Sequence, residues 1–198
     1  MAVSSASSVS SAGPVGSVGV PPPRVPPEHD LHAAWSHWYE GVLGWKPAGG
    51  SPAQLVTGVR FDVLELPADA GAEVLRRPVP TGPVALMGRR MRFLVAPGSA
   101  EELEALLDWL EWGGVPLDLD AVGIGGRITA PVPPGWSQSP RGAAVWLRPP
   151  ELGCEASLPS LPGPERSSGP GLVRLVAAAA TECHRARLWR RTPQPLAS

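Results

Sequence analysis

Asp120-Ala-Val-Gly-Ile-Gly-Gly-Arg-Ile-Thr-Ala-Pro131, followed across a Pro/Gly/Ser-rich loop by Gly142-Ala-Ala-Val-Trp-Leu-Arg-Pro149, is the stretch on which the fold is read. Residues 127–130 and 143–147 are short runs of strand character, and Pro131 stops the first. The glycines at 123, 125 and 126 stand before a strand. A phosphate-binding glycine loop has to open a helix, whose first N–H groups hold the anion, so these glycines are not a nucleotide fingerprint.

Moving outward from this stretch, residues 100–112 predict a helix. Ser99 and Glu102 have capping-box spacing, Leu103, Leu106, Leu107 and Leu110 form one stripe, and Gly113-Gly114 ends it. Residues 83–87 and 91–96 read as two strands joined into a hairpin at Gly88-Arg89-Arg90. Residues 54–66 read as one or two strands, broken at Gly58 and closed by Pro67, with a short helix over 68–77. A first helix spans 31–43, with Asp30 as N-cap, Gly44 at C′ and an apolar stripe of Leu31, Ala34, Trp35, Trp38 and Val42. A last helix over 172–190 carries basic residues in its final turns, where the dipole favours them. The strands are short and alternating rather than continuous apolar runs. This predicts an α+β fold with a mostly antiparallel sheet and flanking helices. The organisation reads as a Ser/Ala/Gly/Pro-rich tail (1–27), one domain (28–150), a linker (151–170), a basic C-terminal helix (171–191) and a tail (192–198).

The chain of 198 residues has room for one domain with a real core. Its 26 Pro and 23 Gly are above average usage and unevenly spread, and residues 1–27 bury too little to offset their ordering entropy, so they read as disordered. That segment has no basic n-region, and no stretch approaches the roughly 20 apolar residues of a membrane span, so the expected location is cytoplasmic, with no membrane partner. The net charge of −1 supplies no global field for nucleic acid. Lys46 is the sole lysine, against 16 arginines, the mark of a GC-rich coding bias. Cys154 and Cys183 read as free thiols.

In sum, the pieces from Leu31 to Pro149 resemble the N-terminal domain of bifunctional DNA primase/polymerases, a branch of the archaeo-eukaryotic primase-like proteins. The resemblance rests on Gly44-Trp45-Lys46-Pro47 after the first helix, on Asp120 before Gly125-Gly126, on the Ala130-Pro131 stop, and on Trp146 in the strand that follows. It implies two carboxylates two residues apart on one strand, sharing divalent metals that activate a primer hydroxyl. Here Glu65 stands at the first position and Pro67 at the second; Asp62, three residues away, points to the other face unless a bulge intervenes. The resemblance also implies a phosphate-holding histidine on the hairpin, where Met91 stands, a thioether with no charge. Arg89, Arg90 and Arg92 flank it as substitute phosphate ligands or as solvated hairpin charges. A third motif aspartate is matched by Asp120, or by Asp118 with a small shift; both also suit turn hydrogen bonding. The expected catalytic set is therefore a vestigial Glu65, Asp118 and Asp120, with no metal site, no cofactor, and magnesium or manganese only if activity survives.

Elsewhere, His32 and His37 are five apart and do not make a helical metal pair. Trp35, Trp38, Trp109 and Trp146 fall on predicted core faces, whereas Trp112, Trp136 and Trp189 are placed for exposed contact. Arg187, Trp189 and Arg190 form a basic, aromatic helix end, suited to stacking with single-stranded DNA or to docking a protein. Three readings follow: a primase/polymerase-like protein without catalysis that binds nucleic acid, nucleotide or a partner in DNA metabolism; an active nucleotidyltransferase with an altered metal site; and a protein-interaction module.

Overall fold

The structure is a computed structural model describing residues 28–136, 140–162 and 171–191. The expected disordered tail 1–27, the tail 192–198, residues 137–139 of the Pro/Gly/Ser loop and residues 163–170 of the expected linker lie outside the described residues. The fold is α+β. Helix α1 (Glu28–Trp38) leads to β1 (Pro47–Ala48), β2 (Gln54–Val56) and β3 (Asp62–Pro67). Helix α2 (Ala68–Leu75) precedes the hairpin of β4 (Val84–Met87) and β5 (Arg90–Val95). Then come α3 (Leu103–Trp109), β6 (Asp120–Val122), β7 (Arg127–Thr129), β8 (Val145–Arg148) and α4 (Gly171–Arg191). Strands pair antiparallel into a five-stranded sheet, β6-β3-β5-β4-β8, and a three-stranded one, β1-β2-β7.

Strand alternation sorts the side chains into two cores. Leu64 and Leu66 of β3 and Met91, Phe93 and Val95 of β5 face α2, α3 and α4, including Leu172, Leu175 and Val176 of the last helix. Val63 and Leu94 face the other way, onto Leu55 and Ile128 of the small sheet and onto Tyr39 and Trp45. The five-stranded sheet is thus a middle layer, covered by helices on one face and partly by the small sheet on the other. Helix α4 is the outer wall of the main core, not a detached element.

The punctuation expected from glycine is present. Gly58 (φ 87) separates β2 from β3, and Gly88 (φ 56) takes the first position of the two-residue turn between Met87 and Arg90, as a II′ hairpin turn requires. Several local expectations are corrected. Helix α1 already includes Asp30, which is therefore not its N-cap. The chain then winds through a π-helical turn, Tyr39–Leu43, whose extra residue shifts the buried phase: Tyr39 and Leu43 are buried and Val42 is 46% exposed. The capping box at Ser99 does not form. Asp62 Oδ2 instead accepts the Ala100 N–H at 3.0 Å, a tertiary carboxylate taking the place of a local cap. Trp109, expected in the core, is 71% exposed at the end of the shortened α3, and Trp112 is half-buried against the His184 ring. The described part of the expected linker belongs to the domain. It makes a 3-10 turn at Cys154–Ser157 and buries Leu158, and its Pro159 carbonyl accepts the Ala96 N–H at 2.9 Å.

Candidate functional site

Register brings the expected site residues to one row. Glu65 of β3 lies opposite Asp120 of β6 on one side and Arg92 of β5 on the other; Arg92 lies opposite Ala85, and Ala85 opposite Trp146. The row crosses all five strands on the face turned away from α2, α3 and α4. Its far end is fixed by the π-helical turn after α1, where the Trp146 indole N–H donates to the Tyr39 hydroxyl at 2.9 Å and that hydroxyl donates to the Pro131 carbonyl at 2.7 Å. Burial holds the Tyr39 phenol far above its ordinary range, so it stays a neutral donor.

The near end of the row is ionic. Arg92 Nε donates to Glu65 Oε2 at 2.5 Å, and Arg90 Nε donates to Glu65 Oε1 at 3.0 Å. The same Arg90 guanidinium reaches Asp118 Oδ1 at 2.5 Å, Asp120 Oδ2 at 3.0 Å and the Glu65 carbonyl at 3.3 Å. One cation is therefore shared by three carboxylates. Burial raises the pKa of Glu65, but the bonds and charges of Arg92 and Arg90 outweigh it and hold the carboxyl below its ordinary range. For Arg90, burial works against the charge, and Asp118 and Glu65 more than restore it. Glu65 and Arg92 are mostly enclosed, whereas Asp120 is 72% exposed.

This donor set does not fit the metal pair that the resemblance implies. A divalent ion needs free carboxylate oxygens, and both Glu65 oxygens, with one oxygen each of Asp118 and Asp120, already accept arginine N–H bonds. Pro67 offers no ligand at all. Among the described residues, no group of three or more His, Cys, Asp or Glu could hold a metal ion.

The remaining expected residues scatter. Met91 is 3% exposed and packs into the helical core, where a Cβ on Gly71 would overlap its thioether. It faces away from Glu65 and Asp120, so the three motif positions share no cleft. Arg89 is exposed at the hairpin tip, beyond the ionic row. Arg187 donates to the Pro116 carbonyl and Arg190 Nε to the Ala186 carbonyl at 3.1 Å. Trp189, 79% exposed, stands beside them at the end of α4, well apart in sequence from the sheet row. Asp62, set aside on parity, is fully buried on the opposite face from Glu65. Burial raises its pKa, and the Ala100 N–H only partly offsets this. Cys154 and Cys183 are free thiols pushed up by burial, to about 11 and about 12, which keeps them protonated and poor nucleophiles at neutral pH. The arginine–glutamate pairing had a sequence signal: Arg90 and Arg92 share one parity on their strand and Met91 the other, so only the arginines can meet Glu65.

No helix among the described residues is long and apolar enough to cross a membrane. No family model, curated protein or solved structure matches the chain.

Proposed function

We propose that this chain is a non-catalytic, primase/polymerase-like domain that acts by binding, and that its binding surface is the end of α4. The observation that carries the first half is Arg90, whose guanidinium takes the carboxylates on which metal-dependent nucleotide transfer would depend. A cation built into the fold occupies an oxygen of each of these three groups. Neither Arg90 nor Arg92 is then available to an incoming phosphate, since each is committed to Glu65.

The second half rests on Trp189 and its neighbours. Arg187 and Arg190 spend bonds on neutral carbonyls and keep their full charge, and the Trp189 indole in the same last turns of α4 is open to solvent. An exposed aromatic on a helix end that also carries cations suits a stacked base and its phosphate, which favours single-stranded nucleic acid as the ligand. Leu188, 50% exposed beside Trp189, favours a second reading in which the same helix end docks on a protein.

The test has two arms. Primer extension with magnesium or manganese is expected to give no product. Titration of labelled single-stranded DNA is expected to give binding that weakens as salt rises and quenches Trp189 fluorescence. Extension that Glu65→Ala abolishes would establish an active enzyme instead. Salt-independent or undetectable DNA binding would leave the protein-docking reading.

A further inference from the structure

A cleft separate from the ionic row lies where the end of the π-helical turn meets the turn between β2 and β3. Its volume is about 420 Å³, in the range that accommodates small ligands. Trp45, Leu55, Val59 and Phe61 supply apolar lining, Lys46 and Arg60 supply charge, and no acidic side chain lines it.

The lining is built rather than incidental. Trp45 is 3% exposed, its indole N–H donates to Glu155 Oε1 at 2.7 Å, and it lies between the Tyr39 ring, stacked at 6.3 Å, and the Phe61 ring at 4.8 Å. The turn that carries Val59 and Arg60 into the lining is closed by a Gly58 N–H bond to the Phe61 carbonyl at 2.9 Å. That turn is clamped onto the glycines of the Gly123–Gly126 segment. The Thr57 hydroxyl donates to the Gly123 carbonyl at 2.5 Å, and the Thr57 N–H donates to the Gly126 carbonyl at 3.0 Å. Gly58 approaches so closely that a Cβ there would overlap the Ile124 backbone. Val59 and Arg60 are thereby held outward, Val59 at 69% exposure.

We propose that this cleft binds a small organic anion: a carboxylate or sulfonate on a flat apolar body, with the body on Val59 and the Trp45–Phe61 wall and the head between Lys46 and Arg60. Neither cation is ion-paired with a described residue, so among the described residues their charge is uncompensated beside Val59, the exposed apolar side chain of the cleft. That combination favours amphipathic anions over neutral apolar molecules and over bare inorganic ions. The sole lysine of an arginine-rich chain lies on this rim.

The experiment uses the full chain and 8-anilinonaphthalene-1-sulfonate, with the uncharged N-phenyl-1-naphthylamine as its neutral counterpart. One saturable sulfonate site is expected. Lys46→Gln with Arg60→Gln is expected to weaken the sulfonate at least tenfold, about the effect of losing one or two charge-assisted bonds, and to change the neutral probe less than twofold. Trp189→Ala is expected to leave both affinities unchanged, so this result stands or falls independently of the α4 surface. Reductive methylation with labelled formaldehyde gives a single side-chain amine resonance, from Lys46, which is expected to shift on sulfonate addition. No sulfonate binding, an unchanged affinity in the double variant, equal losses of both probes, or an unmoved Lys46 resonance overturns the proposal.

Discussion

Two pairs of cations in this protein meet opposite fates. Arg90 and Arg92 sit on the sheet face and are held by Glu65, Asp118 and Asp120. Lys46 and Arg60 line a cleft with no acidic side chain in its walls. The difference is topological. Antiparallel register lays Glu65 directly beside Asp120 and Arg92, whereas the 57–61 turn projects its arginine away from the sheet. Internally paired cations hold structure and leave little for a ligand; unpaired ones over apolar walls do the reverse.

The largest expected effect tests whether the unpaired side is preorganised. Gly58→Ala adds a Cβ against the Ile124 backbone at a positive φ. It is expected to cost about 3 kcal/mol, by positive-φ strain and steric overlap, and to lower the melting temperature while weakening the sulfonate probe. Retained probe affinity would show that the clamp does not shape the cleft. Next is the paired side. Glu65→Gln leaves Arg92 and Arg90 without their shared carboxylate and is expected to cost about 2 kcal/mol in denaturant unfolding, below the full range for a buried pair because one side of the cluster is open. A change within error would mean that the cluster is held by its neighbours and not by its charge.

A smaller effect separates the two carboxylates of β3 by pH. The folded pKa of Glu65 is depressed, so its contribution is complete above its unfolded value and is lost as pH falls through the folded one, in the acid range below about 4. The folded pKa of Asp62 is raised, so its contribution is present at low pH and is lost as pH rises through that value, above about 4. Asp62→Asn keeps an oxygen for the Ala100 N–H and is expected to gain on the wild type as pH rises from 4 to 7, as read by melting temperature. Glu65→Gln is expected to fall behind the wild type as pH rises through the acid range to about 4 and to keep a constant deficit above it. Parallel pH profiles for the two variants would contradict the opposite environments of the two groups. Trp189→Ala is expected to have the least effect on folding. With the indole 79% exposed, stability should be unchanged, and affinity for single-stranded DNA should fall about fivefold or more.

Much of the fold was legible because Gly and Pro mark its joints. Gly44, Gly58, Gly88 and Pro67 stand where elements turn or stop, and the α+β class follows from the short strands and helices between them. What was not legible depends on distant partners. Ser99 and Glu102 satisfy a local capping rule, yet Asp62 arrives from β3 and takes the Ala100 N–H. Trp109 falls on a helical stripe, but α3 ends there and the ring faces solvent. The described part of the 151–170 segment has a linker's composition, and Leu158 nonetheless closes the second core. Among the site residues, Glu65, Asp118 and Asp120 were named for the chemistry they resemble. Their arginine partners were read as phosphate ligands or solvated hairpin charges; strand parity turns Arg90 and Arg92 toward Glu65 and Met91 into the helical core. Of the glycines before β7, Gly126 leaves room for the Thr57 hydroxyl, while Gly58 itself admits the Ile124 backbone.

The central claim is that Arg90 stands in for metal among the three carboxylates, and manganese binding tests it most directly. Thermal unfolding and manganese spin-resonance titration of the wild type and Arg90→Ala would be read side by side. The wild type is expected to show no bound manganese and no shift in melting temperature. Arg90→Ala, with Glu65, Asp118 and Asp120 left to repel one another, is expected to melt lower and to be partly restored as it binds the ion. Manganese binding by the wild type that Glu65→Ala removes, together with primer extension, would contradict the account.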